Sequence, residues 1–475
     1  MTRKEFLTLV AAGSAVPAAA DVPSAFVATP AAKNQPLTLP PVVPGPAYLM
    51  AGPMLGHTGP HDARLWIRAT AAVPWSVRVS ESPALEGARE VPGPALHEDS
   101  GVTGIVVLDA LNPATRYYYQ VLLEGRAQTV APFPSFTTAQ APGTKGRQRI
   151  AFGSCVGESP AEAAAAWGEI AAHCELLPDA GGFDLFLMLG DNHYGNTTQP
   201  AKLRTYYTAH RLSPGWREMS ARRPVYAIWD DHDYGPNNSD GTQPGKEDSL
   251  RVFREFWANP AAGEPDNPGC YFTFQRGDMQ CFMLDGRYHR SPNKMKDGPD
   301  KTMFGAKQLA WLKRELSASR AAVKIIANGS EWQTFGSVDS YSSCRTERDA
   351  LLQWITDQKI EGVVLLSGDR HFCAGYQVLG RHVELVSSPL GSRNALLIPN
   401  PERFTGHDTG CLWMVLDIVT TGPQPSLSWE IRQAGGGLLE RRTLTWEEVN
   451  GRAPIAPSKL PLRSPRRPYD ALSIK

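Results

Sequence analysis

Two spacings of apolar residues divide the chain. From about residue 46 to 140, apolar and polar positions alternate in short runs, ARLWIRA, SVRVSE, GIVVLDAL, RYYYQVLL and PSFTTA, separated by Pro, Gly and Asn. Alternation with period two puts one face of each run into a core and the other into water, which predicts a small antiparallel β-sandwich. Beyond the linker APGTKGRQR the spacing changes. The runs RIAFGSC, FDLFLMLGD, PVYAIWDD, QCFMLDGR, VKIIANGS, GVVLLSGD and HVELVSS are continuously apolar, as expected of strands buried on both faces. Between them lie helical stretches such as AEAAAAWGEIAAHCELL and FGAKQLAWLKRELSAS, suited to covering such sheets. CLWMVLDIV and LSWEIRQ are expected to close one sheet edge as antiparallel strands.

In the first region, LNPATRYYYQV places Tyr117, Tyr118 and Tyr119 after a proline-containing turn. It resembles the tyrosine corner of immunoglobulin and fibronectin type III domains, with Trp66 as the expected core partner. Ahead of that region, MTRKEFLTLVAAGSAVPAAADVPSA joins a basic pair to a short apolar stretch and small residues, the order of a secretory signal. Arg3 and Lys4, followed by Phe6 and Leu7, resemble a twin-arginine export signal in which lysine replaces the second arginine. The expected division is an export signal and linker over 1–45, a sandwich over 46–140, an α/β domain over 148–440 and a tail over 441–475.

Composition changes this picture little. Lys+Arg and Asp+Glu both number 48, so no overall field favours a stable nucleic-acid complex or an anionic membrane, and no later segment is apolar enough for a transmembrane anchor. Seven cysteines is an odd number. In an oxidising compartment six are free to pair, leaving Cys155 for another task.

The chemistry is carried by strand ends. Cys155 follows RIAFGS, Asp191 follows FDLFLMLG, Asp230, Asp231 and His232 follow PVYAIW, and Asp369 and His371 follow GVVLLSG. One aspartate after a strand is usually a helix cap, but four recurrences joined by His, Cys and Tyr are not explained by capping. Strand ends on one sheet edge converge on one crevice, and gathering carboxylates there without a cation would cost repulsion and desolvation. A polynuclear metal site follows.

The series FGSC, LGDNHY, WDDHD and SGDRH, supported by LDGRYHR and FGAKQLAWL, resembles the PhoD-type alkaline phosphatases of the calcineurin-like metallophosphoesterase superfamily, from about residue 45 to 420. The resemblance implies a four-layer α/β/β/α sandwich behind a fibronectin- or immunoglobulin-like β-sandwich. It implies ferric iron paired with calcium or another divalent cation, and hydrolysis of small or polymeric phosphate esters by metal-bound hydroxide. Carried over by residue, Cys155, Asp191, Tyr194 and His371 would hold iron. Asp191 would bridge to a second ion on Asp231 and Asp369. Cys155 stands where other branches of the superfamily open with Asp-x-His. The usual histidine from the preceding strand is missing from IIANGSEW, leaving Asn328 or Ser330 in its place.

His232 is the expected proton donor to the leaving group, oriented by Asp230 or Asp233. Arg287, Arg290 and Arg370 are expected phosphate clamps, and Asn237 in the loop YGPNNSDGTQPG a further substrate contact at a mobile mouth. Two other readings stay open: a phospholipase D-like phosphodiesterase with the same metals, and an inactive secreted binding protein. Intact Asp191, Asp231, Asp369 and His371 argue against the second.

Overall fold

The computed structural model describes residues 37–458 apart from 175, 177–180 and 338. The expected export signal and most of the tail lie outside these residues. Among them, no helix is long and apolar enough to cross a membrane.

The alternating region forms two facing sheets. One contains Leu49–Thr58, Ala63–Ala69 and Thr103–Leu108; the other is built on Trp75–Ser80 and Arg116–Leu123 with short flanking strands. The tyrosine corner closes through Tyr117: the backbone N–H of Asn112 donates to its hydroxyl at 2.9 Å. Trp75 and Tyr119 fill the sandwich core. Trp66 does not. Its ring is buried with the core of the larger domain against Phe256, its Nε1 donates to the carbonyl of Glu255 at 2.9 Å, and the Arg211 guanidinium lies 5.0 Å from its ring centre. The alternating pattern tells that a residue is buried but not against which domain.

The larger part holds two packed sheets. In the first, Val225–Ile228, Leu185–Leu189 and Arg147–Gly153 run parallel, and Leu412–Val419, Ser426–Gln433 and Gly437–Leu444 extend it antiparallel. The expected boundary at 440 therefore cuts through a strand, and folded chain continues through the helix Trp446–Val449. In the second sheet, Met279–Met283, Val323–Ala327, Val363–Ser367 and His382–Val386 form a parallel centre with antiparallel strands at both edges. Apolar side chains of both sheets share one core, while the helices Gly305–Ala318 and Arg345–Asp357 cover the outer face of the second. The helices Ala164–Cys174, Pro200–Arg211, Pro214–Ser220 and Lys246–Phe256 pack with the first. The layers are α/β/β/α.

No disulfide joins the seven cysteines among the described residues, so the pairing expected in an oxidising compartment is not formed. Six of them are buried among the packed elements, where small apolar side chains suffice.

Candidate metal centre

The parallel strands of both sheets end together, and the loops that follow carry the polar residues. Close approach at this edge depends on glycine. A Cβ on Gly368 would lie 2.5 Å from Ser154 Oγ, and one on Gly329 would lie 2.6 Å from the Asp230 carboxyl carbon. The backbone turns sharply here. Cys155, Asp191, Asn196, Asn238, Asp369 and His371, six of thirteen non-glycine residues with positive φ among those described, all occupy the left-handed region. Such conformations cost about 1–3 kcal/mol each and persist where the surroundings enforce them.

Donor atoms fall into three overlapping groups, each with its members within 4.8 Å of one another: Cys155, Asp191 and His371; Asp191, Asp231 and His232; and Asp230, Asp231, Asp339 and Asp369. In the first, Cys155 Sγ lies 3.3 Å and Tyr194 Oη 3.2 Å from Asp191 Oδ2, and Tyr194 Oη lies 3.0 Å from His371 Nε2. His371 Nδ1 donates to the carbonyl of Arg393 at 2.6 Å, which leaves the Nε2 lone pair facing the site, the arrangement of a metal-ligating histidine. In the third, Asp230 Oδ2 and Asp231 Oδ1 are buried without a hydrogen-bond partner.

Protonation shows how poorly these groups tolerate one another alone. Burial, with the nearby Asp369 charge, pushes the Cys155 thiol up to about 12. Burial and Glu331 push Asp369 up to about 8, and burial with Cys155 and Asp231 raises Asp191 well above the carboxylate range. Asp231 alone is held low, because Arg287, His232 and the Asn238 amide outweigh its burial. Bound cations favour the deprotonated forms of all these ligands. The unpartnered oxygens, the histidine tautomer and the mixed thiolate, phenolate and carboxylate donors fit a pair of metal ions.

Comparison with known proteins agrees. The family model described as PhoD-like phosphatase matches residues 150–402. The chain belongs to the PhoD-like phosphatase family. A second model, a domain of unknown function called DUF7800, matches residues 46–141. Alkaline phosphatase D of Bacillus subtilis (strain 168) is 25% identical over 319 residues, 56% of this chain and 52% of the relative, so the chain spans about half the length of the curated relative it matches. The solved structure of PhoD superposes with a TM-score of 0.69 at 18% identity, covering 86% of this chain and 94% of that one. Purple acid phosphatase PPD1 from yellow lupin (Lupinus luteus) gives 0.62 at 12% identity, covering 83% and 74%. Both share the metallophosphoesterase fold.

Against this PhoD-like frame several expected roles change. Arg287 is fully buried, and each of its guanidinium N–H groups is engaged: Nε with Asp230 Oδ1 at 2.6 Å, Nη1 with Asp339 Oδ1 at 2.9 Å and the Ser239 carbonyl at 3.2 Å, Nη2 with Asp339 Oδ2 at 2.5 Å and Ser330 Oγ at 3.2 Å. Five donors so committed leave none for a phosphate. Arg290 is likewise buried against Asp339. Arg370 keeps part of its surface exposed, pairs with Glu331 at 3.1 Å and adjoins Asp369, so it is the one of the three still able to face substrate.

Asp230 and Asp233 do not reach the His232 ring. Asp230 serves Arg287, while Asp233 accepts the backbone N–H groups of Asp230 and Asn192. The ring partner is Asn196, 2.6 Å from Nδ1. Asn328 is buried with Nδ2 donating to the Ser330 carbonyl, and Asp339 joins the third donor group instead. Asn237 is exposed, whereas the backbone N–H of its neighbour Asn238 donates to Asp231 Oδ2 at 2.6 Å. The expected mobile loop is pinned further by Arg287 on the Ser239 carbonyl and by the Gly241 N–H on the carbonyl of Arg290.

Asp339 escapes sequence reading because it lies in GSVDSYSSC, a polar stretch well beyond the end of the strand Val323–Ala327. Its only signal is an acidic residue in the long loop after that parallel strand.

Proposed function

We propose that this chain is an exported, metal-dependent phosphoesterase acting on phosphate monoesters or diesters. The observation that carries the reading is the meeting of three overlapping donor groups at one edge of the two sheets. Cys155, Asp191, Tyr194 and His371 would hold ferric iron; Asp191, Asp231 and Asp369, now with Asp230 and Asp339, would hold calcium or another divalent ion. Bound there, the cations supply an activated water near neutral pH and neutralise charge on the phosphoryl oxygens.

The chain's own residues do the remainder. Asp191 spans the two donor groups and fixes their separation. The fully engaged Arg287 holds Asp230 and Asp339 in place, and with them the third donor group. Arg370 at the mouth orients a phosphoryl oxygen, and His232 gives its proton to the departing oxygen. Export is supported by the N-terminal sequence alone.

The test is to purify the protein, measure its metals, and follow hydrolysis of aryl phosphate monoesters and diesters before and after chelation. Loss on chelation with recovery on adding back iron and calcium is expected. Iron bound by Cys155 and Tyr194 should give a visible charge-transfer band that weakens in Tyr194→Phe. A colourless zinc enzyme of full activity would overturn the iron assignment, and activity indifferent to chelation would overturn the metal reading.

A further inference from the structure

The loop after the strand Leu185–Leu189 returns to the site through Asn196. Its backbone N–H donates to the carbonyl of His232 at 3.1 Å, and its Oδ1 lies 2.6 Å from Nδ1 of the same histidine. Its Nδ2 donates to the carbonyl of Tyr194 at 3.2 Å, which sets the end of the amide that faces the ring. Tyr194 stacks on the imidazole at 4.1 Å between centroids and 26° between planes. Asn196 itself sits at φ 49, a region that asparagine enters more readily than most residues. The position thus asks for a left-handed backbone and a side-chain acceptor together.

We propose that Asn196 is the positioning residue for His232: its Oδ1 accepts the Nδ1 proton, so that Nε2 is the ring nitrogen presented to the leaving oxygen of the substrate. The inference rests on the phosphoesterase reading and on His232 as proton donor. In the step, the P–O bond to the leaving group breaks and its electron pair goes to the leaving oxygen, which takes the proton from Nε2. The ring is left neutral with Nδ1–H still on Asn196. The attacking water forms the new P–O bond and releases one proton to solvent, from which the ring is recharged. An alkoxide needs that proton; a nitrophenolate leaves without it.

Asn196→Gly keeps the left-handed backbone and removes the acceptor. In metal-loaded full-length protein it should lower kcat/KM for alkyl phosphate esters by about 10- to 100-fold, as loss of an orienting hydrogen bond does, while nitrophenyl esters change less than about threefold. Asn196→Asp, which keeps an acceptor, should recover most of the alkyl activity. His232→Ala should show the same selective loss, and adding Asn196→Gly to it should cost nothing more. In histidine-labelled, chelated protein, nitrogen NMR should show Nδ1 protonated in the neutral His232 ring of the wild type and a tautomer mixture in Asn196→Gly. If His232→Ala leaves alkyl esters untouched, the proton-donor reading fails first. If His232→Ala shows the selective loss while Asn196→Gly keeps both the wild-type ratio of alkyl to aryl rates and the wild-type tautomer, Asn196 does not position the ring.

Discussion

Replacing Arg287 with methionine separates two views of that residue. A phosphate clamp would be felt in substrate affinity alone. The structure instead shows a guanidinium with no exposed surface, tied to the carboxylates of Asp230 and Asp339 and to Ser239 and Ser330. Methionine fills similar volume but leaves buried Asp230 without its counter-charge and Asp339 with Arg290 alone. Breaking one buried ion pair costs about 3–5 kcal/mol, and the two pairs share one cation, so the loss should reach at least that range. At about 2.1 cal/mol/K of unfolding entropy per residue, for a cooperative unit of this size that is a fall in Tm of about 3–6 °C. The fall should be larger in chelated protein, because cations among Asp230, Asp231, Asp339 and Asp369 replace part of the lost charge. Thermal unfolding by circular dichroism, with and without chelator, measures it. Steady-state kinetics well below the melting temperature should show reduced kcat with KM within about threefold of wild type. An unchanged Tm together with a KM raised tenfold or more would return Arg287 to the role of clamp and refute the packing argument.

Asp191→Ala, which removes the carboxylate common to two of the three donor groups, should bind neither metal in stoichiometric amount and show no turnover above background; elemental analysis of the purified variant checks it. The pH dependence of the chelated protein follows from carboxyls pushed upward by burial, Asp233 and Asp369, both to about 8. A raised carboxyl contributes stability that is complete below its unfolded value of about 4 and lost as pH rises through about 8, so chelated protein should melt progressively lower across that window, while the metal-loaded form should change less. A melting temperature of the chelated form that rises with pH would show that these groups are ionised. Trp66→Ala should cost about 3–5 kcal/mol despite lying in the small domain, because it vacates a packed site against Phe256 and Arg211. If it destabilises only an early, separate melting transition, the two domains are not joined through that residue.

How far the sequence spoke depended on the scale of the signal. Continuous apolar runs identified the parallel strands of both large sheets, since a strand buried on both faces has no room for alternation, while the edge strands Phe272–Arg276, Cys373–Val378, Arg403–His407 and Gly437–Leu444 were not among them. The strand-end positions of Cys155, Asp191, Asp231, Asp369 and His371 followed from the same runs, and the structure does bring these residues to one edge. What was hidden is partner choice. WDDHD reads equally well with Asp230 serving His232 or serving Arg287, and only the fold puts Arg287 within 2.6 Å. LDGR shows an arginine without showing that Asp339, over fifty residues later, closes around it. Trp66 was legible as buried, but the interface it occupies forms only when Phe256 and Arg211 arrive from distant helices.

The left-handed residues connect these observations. Local propensity would not choose φ near 58 for Cys155 or 62 for Asp369, because the Cβ of either is crowded there, and neither residue is the glycine that usually removes the conflict. Glycine would relax the backbone but delete the donor. A chain that needs a thiolate, a carboxylate and an imidazole within 4.8 Å, each a few residues past the end of a strand, must accept the turn and keep the side chain. The resulting strain and charge repulsion have the same remedy, cations bound among the donors. Chelation should therefore loosen this edge before the sheets: hydrogen exchange at the backbone amides of residues 155, 191, 369 and 371 should accelerate on metal removal, while those of the strands Leu185–Leu189 and Val363–Ser367 stay protected. Equal acceleration in both would mean that the metals hold up the whole domain and that the strain is not local.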